Sequence, residues 1–247
     1  MKPVALVTGA GSGIGLAVAQ RLCGDGWQVV GLARREQVLR ERLPGGCDVL
    51  ACDVADAGAV DRAMAQLLQS HGRLDAVVNC AGIVHRGLLQ DQSLAHIDSQ
   101  IDINLRGTIH VIRASIAALK ATRGSIVNFS STLGQHPVPG VSIYAATKGA
   151  IEALTRAMSI ELAADGVRVN AISPALVRSE IWQAAGMSDG DYQALMAARA
   201  REYPLGRVGE PEDVSALVAF LLSPNAGWLT GLCIPVDGGS SVNLVRR

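Results

Sequence analysis

Short runs of aliphatic and β-branched residues alternate along this chain with longer Ala- and Leu-rich stretches whose apolar positions recur every three to four residues. The short runs predict strands at Val4–Thr8, Val29–Ala33, Val49–Asp53, Ala76–Asn79, Ser125–Ser130, Arg168–Ser173 and Cys233–Val236. The longer stretches predict helices at Gly13–Gly24, Glu36–Arg42, Ala57–His71, Ser93–Lys120, Ser142–Ala164 and Pro211–Leu222. Strand followed by helix, repeated, is the pattern of βαβ units, whose crossovers set the strands parallel. An α/β fold is expected: one domain over residues 1–247, with a doubly wound sheet of seven parallel strands flanked by helices. The rhythm breaks between Ala175 and Arg207, where strand signal is weak and only a loose helical pattern (Asp191–Glu202) remains. An excursion after a strand's carboxyl end is where a lid over a site belongs, so 175–207 is read as a substrate lid.

Composition narrows the picture. Half of the 247 residues are apolar (49%) but only 3% are aromatic, which suits a core of Ala, Val, Leu and Ile between strands and covering helices. Formal net charge is zero, which argues against nucleic acid or an anionic membrane as partner. The five cysteines (Cys23, Cys47, Cys52, Cys80, Cys233) lack CxxC spacing and the five histidines are scattered, so no metal site is expected. No apolar run is long enough to span a membrane, and the start of the chain, with Lys2 before a brief apolar stretch, does not read as a signal peptide. A cytoplasmic protein is expected.

Two constellations carry chemistry. Thr8-Gly9-Ala10-Gly11-Ser12-Gly13-Ile14-Gly15 ends the first strand and opens the first helix. Glycines there permit a tight turn and let backbone approach a pyrophosphate at the positive end of the helix, which makes Gly9, Ser12, Gly13, Ile14 and Gly15 dinucleotide-binding candidates. An acid at the tip of the second strand would select NAD(H) through the ribose hydroxyl. Here Ala33 is followed by Arg34 and Arg35, so NADP(H) is favoured, with Arg34 on the extra phosphate and NAD(H) as the alternative. Glu36 is close enough in sequence to pair with either arginine. Asp53, followed by Val54, could meet the adenine amino group or cap a helix. Asn79, Cys80, Ala81 and Gly82 end the fourth strand with small residues that let backbone pass under a cofactor, while Asn79 braces the strand ends.

The second constellation is Tyr144, Lys148 one helical turn later, and Ser131 thirteen residues before the tyrosine. A phenol is a poor acid or base at neutral pH, and an adjacent ammonium would draw its pKa toward the working range. With a serine hydroxyl on the same point, this is apparatus for reducing a carbonyl or oxidising an alcohol.

On these motifs the chain resembles the short-chain dehydrogenase/reductase family, in its single-domain subclass. The resemblance runs through Thr8–Gly15, Asp53-Val54, Asn79–Gly82, Asn104, Ser131, Tyr144 with Lys148, Asn170–Ser179, Pro204–Arg207 and Thr230–Gly239. It implies a Rossmann fold, a nicotinamide cofactor and a homotetramer built partly on paired long helices. It implies Tyr144 as general acid in reduction and base in oxidation. Lys148 would lower that tyrosine's pKa and hold the nicotinamide ribose, Ser131 would donate to the substrate oxygen, and Asn104 would anchor a proton-relay water. Ser130 is assigned a structural role. Pro174, Val177 and Ser179 belong to a segment passing beside the nicotinamide, with Ser179 on its carboxamide. Ala175, Ser179 and Cys80 stand where the family generally has Gly, Thr and Asn.

The substrate is less legible. A small carbonyl or alcohol is expected, and His85, His136, Trp182 and Gln183 fall where the family places substrate contacts, with Arg178 a candidate for a substrate carboxylate. A 3-oxoacyl-[acyl-carrier-protein] reductase is the alternative, weakened because Asp165 stands where a carrier-docking cation would help. Enoyl reduction is disfavoured by the Tyr144–Lys148 spacing. A catalytically silent nucleotide-binding regulatory protein is disfavoured because Asn104, Ser131, Tyr144 and Lys148 are all present.

Overall fold

The structure, a computed structural model, describes residues 2–243. Its seven strands are β1 (Val4–Thr8), β2 (Gln28–Ala33), β3 (Asp48–Ala51), β4 (Ala76–Asn79), β5 (Ser125–Phe129), β6 (Arg168–Pro174) and β7 (Cys233–Val236). They form one parallel sheet in the order β3-β2-β1-β4-β5-β6-β7. Its helices are α1 (Gly13–Gly24), α2 (Glu36–Arg42), α3 (Ala57–His71), α4 (Leu94–Ile101), α5 (Gly107–Thr122), α6 (Ser142–Glu161), α7 (Ile181–Ala184), α8 (Asp189–Glu202) and α9 (Pro211–Leu222).

Strand alternation sorts β1 between two cores. Val4 and Leu6 face a cluster with Met64, Leu67, Val111, Leu119 and Met158, contributed by α3, α5 and α6. Ala5 and Val7 face the other side, with Val18 and Leu22 of α1 and Val214, Val218 and Leu221 of α9. Burial on both faces explains why these strands read as continuous apolar runs. Helix starts follow local chemistry. The Asp56 carboxylate accepts from the Ala59 amide to cap α3. The Ser188 hydroxyl accepts from the Asp191 amide to cap α8. Glu210 and Asp213 form a capping box at α9, with Pro211 in its first turn.

Three expectations change. The helix expected over 93–120 is broken by a π-turn at Asp102–Arg106, which separates α4 from α5 and carries Asn104. β3 ends at Ala51, so Asp53 stands in the following loop. There its carboxylate accepts from the Ala55 amide, and the capping of α3 falls to Asp56. The 175–207 excursion holds a short helix, α7, that the pattern did not predict, and α8 begins at Asp189. No helix among the described residues is long and apolar enough to cross a membrane.

Candidate active site

Strand order reverses direction between β1 and β4, and the loops after them diverge there, opening a crevice at the carboxyl edge. Thr8 ties the two strand ends together: its Oγ1 accepts from the Cys80 and Ala81 amides, both at 3.1 Å. The glycine-rich loop is packed to its limit. A Cβ on Gly15 would lie 2.3 Å from the Gly9 carbonyl oxygen, and one on Gly9 (φ +68°) would lie 2.9 Å from the Ala81 nitrogen. Ser12 precedes α1 without a side-chain capping bond, which leaves first-turn amides of the helix open to an anion.

A small cleft of about 140 Å³ lies on one side of this loop, lined by Gly9, Ser12, Arg34, Asp53, Val54 and Ala81 among others. Arg34 and Arg35 are both exposed at its rim. Glu36 turns away and pairs with Arg40 at 2.5 Å, so it neutralises neither. Asn79, expected among the cofactor contacts, lines neither cleft. It is buried and its Nδ2 donates to Asn128 Oδ1 at 2.9 Å, while Asn128 Nδ2 donates to Thr155 Oγ1. Its bracing of adjacent strands is the role the structure displays.

The larger cleft, about 710 Å³, brings together Ile14, Gly82, Ser131, Tyr144, Lys148 and Ser179, with Pro174 and Val177 along the same wall. Ser131 follows β5 and is buried; its Oγ accepts from the Leu133 amide at 3.2 Å and faces the Pro174 carbonyl at 3.5 Å. Tyr144 and Lys148 stand one turn apart on α6, with the ammonium 5.5 Å from the phenol ring centroid. Lys148 is 5% exposed, and its Nζ donates to the Phe129 carbonyl at 2.8 Å. Burial holds its pKa at about 8, well below the lysine range, with the neighbouring Cys80 thiol opposing the shift. The phenol differs from expectation. Burial pushes Tyr144 up to about 12, and only the Ser131 hydroxyl pulls it down. The ammonium is committed to a backbone carbonyl and lies over the ring, so desolvation governs the phenol. Burial likewise raises Cys80 to about 12, which keeps its thiol neutral beside Lys148.

Asn104 is buried in the π-turn. Its Oδ1 accepts from the Ile83 amide at 2.8 Å and its Nδ2 donates to the Ile83 carbonyl at 2.9 Å, clamping the loop just past Gly82. A Cβ on Gly82 would lie 3.3 Å from Asn104 Oδ1 and 3.6 Å from Lys148 Nζ, so the three residues meet at one point.

Of the expected substrate contacts, His136 and Trp182 line the large cleft. His85 stacks on His96, ring centroids 4.1 Å apart, and Gln183 donates to Asp189; neither lines the cleft. Arg178 is held by Glu210 at 2.8 Å, which spends the charge proposed for a substrate carboxylate. Three residues were missed. Tyr192 and Tyr203 accept the Ser179 and Leu176 amides at 3.1 and 3.0 Å, fixing the segment that leaves β6. Arg86 lies over the Trp182 ring at 5.9 Å, across the mouth of the cleft. Tyr192 lies on α8 and Tyr203 is the extended residue that follows its last turn, and no pattern in the sequence marks either hydroxyl as a backbone clamp.

Comparison with known proteins gives the family and the fold. A family model described as enoyl-(acyl carrier protein) reductase matches residues 9–241. The chain belongs to the short-chain dehydrogenase/reductase family. It is 40% identical to the short-chain reductase protein NovJ of Streptomyces niveus, covering 96% of this chain and 93% of that one. It is 36% identical to a 2-(S)-hydroxypropyl-CoM dehydrogenase of Xanthobacter autotrophicus, covering 96% and 95%. Among solved structures it superposes with a TM-score of 0.88 on a 3-ketoacyl-(acyl-carrier-protein) reductase of Brucella melitensis complexed with NADH, 31% identical over 97% of this chain and 98% of that chain.

Proposed function

We propose that this protein is an NADPH-preferring oxidoreductase that interconverts a ketone and a secondary alcohol. The observation that carries the reading is the meeting of Ser131, Tyr144 and Lys148 on one wall of the large cleft. The cleft residues suit a dinucleotide. Gly9 and Gly15 leave no room for a side chain, first-turn amides of α1 are open, and Arg34 stands at the rim of the smaller cleft with no ion pair among the described residues. A bound nicotinamide nucleotide supplies or takes up the hydride.

The protein's own part is binding, orientation and proton handling. Ser131 donates to the carbonyl oxygen and stabilises charge growing there. Tyr144, raised to about 12, keeps its proton at neutral pH, and in this reading it gives that proton only to the alkoxide that forms on the substrate, a stronger base than the phenolate. Lys148 holds positive charge over the tyrosine ring and in this reading also binds the nicotinamide ribose. Asn104 fixes the Ile83 backbone beside Gly82, and in this reading also anchors the water that resupplies protons. Segment 175–207 closes over the cleft as a lid. Tyr192, Met196 and Trp182 of this segment pack in a small cluster with Val208 just beyond it, apart from the two cores that flank the sheet. We read the protein as a cytoplasmic homotetramer; Ile160 on α6 and Trp228 are exposed apolar side chains that an assembly would cover.

Carrier-protein docking is not favoured. Lys120, one of the two cations before β5, is paired with Asp165 at 2.8 Å, which removes much of the positive surface an acidic carrier would meet. The test is consumption of NADPH and NADH against a panel of ketones, sugars and 3-oxoacyl thioesters, with Tyr144→Phe as control. Turnover with at least one ketone and none in the variant is expected; full activity in Tyr144→Phe would refute the assignment.

A further inference from the structure

The carboxyl end of β5 rests on a buried carboxylate that the chemistry above does not use. Glu152 lies on α6 four residues past Lys148, one turn further along the same face, and is 4% exposed. No cation pairs with it among the described residues. It is held by side-chain donors instead. Ser130 Oγ and Ser173 Oγ donate to Oε1 at 2.9 and 3.1 Å, and Gln135 Nε2 donates to Oε2 at 2.7 Å. Carboxylate oxygens accept from hydroxyl and amide donors, and Ser130 Oγ also lies 3.1 Å from the Lys148 carbonyl, which ties the same serine to α6 a second time. An apolar side chain would fill the same space without the cost of desolvating a charge, so stability alone does not account for it.

The three donors surround Ser131. Ser130 immediately precedes it, and Gln135 ends the short turn that follows it. That turn lies flat on α6, because a Cβ on Gly134 would come within 3.1 Å of the Gly149 nitrogen. Ser173 precedes Pro174, whose carbonyl faces the Ser131 hydroxyl. One carboxylate therefore ties down both flanks of Ser131 and the strand that hydroxyl faces.

We propose that Glu152 is a positioning residue: it anchors Ser130 to Gln135 so that the Ser131 hydroxyl points into the cleft toward Tyr144, and so acts on the chemical step through Ser131. This rests on the role given to Ser131 above. The test is a double-mutant cycle of Glu152→Ala and Ser131→Ala on the full-length protein, with kcat and KM from NADPH consumption on the best ketone of the panel.

Glu152→Ala should lower kcat by about tenfold to a hundredfold, as expected for a displaced reacting group, with KM for NADPH within about twofold. On the Ser131→Ala background the same change should cost no more than about twofold in kcat. Glu152→Gln, whose oxygen can still accept from both serines, should recover most of the loss. Equal losses in both backgrounds, or a lowered melting temperature with kcat intact, would overturn the proposal. Gln135→Ala, which leaves the carboxylate two of its donors, gives the same cycle if Glu152→Ala does not fold. A Ser131→Ala protein with unchanged kcat would instead remove the role of Ser131 itself, and this proposal with it.

Discussion

Replacing Lys148 by methionine should silence the protein yet stabilise it near neutral pH. The lysine is buried, and desolvation lowers its pKa from 10.5 to about 8. At about 1.4 kcal/mol per pH unit, that drop is roughly 3 kcal/mol of folding free energy lost wherever both states carry the charge. Between about 8 and 10.5 the folded chain has released the proton and the unfolded chain keeps it. The unfolded state then binds more protons, so stability rises with pH across that window and the cost vanishes above it. Methionine removes the charge but strips the Phe129 carbonyl of its donor, a loss of about 1–2 kcal/mol. The variant should be more stable than the parent by about 1–2 kcal/mol near pH 7, and that advantage should shrink by about 2 kcal/mol near pH 9.5. Urea unfolding of both proteins at equal concentration, at the two pH values, measures the difference. A difference that does not change with pH would refute the reasoning.

Two further outcomes test the cofactor end. Arg34→Gln should raise KM for NADPH by about tenfold or more while leaving KM for NADH within about twofold, because only the former carries the phosphate a guanidinium would hold. Equal effects on both cofactors would show that Arg34 does not discriminate. Gly15→Ala would force a Cβ to within 2.3 Å of the Gly9 carbonyl, a backbone atom that cannot step aside cheaply. It should lower stability by about 1–3 kcal/mol and weaken NADPH binding in a fluorescence titration; an unaltered melting temperature and affinity would contradict the packing described.

The strand positions and the glycine-rich turn after β1 were legible because both depend on local chemistry: buried strands must be apolar, and a backbone with no room, as at Gly9 and Gly15, must be glycine. The π-turn at Asp102–Arg106 was not legible. One extra residue per turn leaves the apolar pattern on either side nearly intact, so the stretch reads as one helix. Asp53 and Asp56 are three apart and chemically identical, and only the point where β3 ends decides which one caps α3. Tyr144 and Lys148 were found by spacing, but the phenol's raised pKa was not. It depends on how much protein surrounds the hydroxyl and on the Phe129 carbonyl that claims the ammonium, both of which are tertiary facts. The clamp by Tyr192 and Tyr203 was hidden for the same reason, since their hydroxyls meet backbone from a different element.

The placement of Trp182 has an optical consequence. Of the three tryptophans, Trp27 packs beside the α1 core, Trp228 stands almost wholly in solvent, and Trp182 alone lines the large cleft. It lies on α7, within the segment read as a lid, with a guanidinium over its ring. Its indole emission is thus coupled to whatever enters the cleft and to the angle of the segment that carries it. A reduced nicotinamide absorbs where indole emits, so the molecule contains a donor whose quenching would report occupancy without any added label.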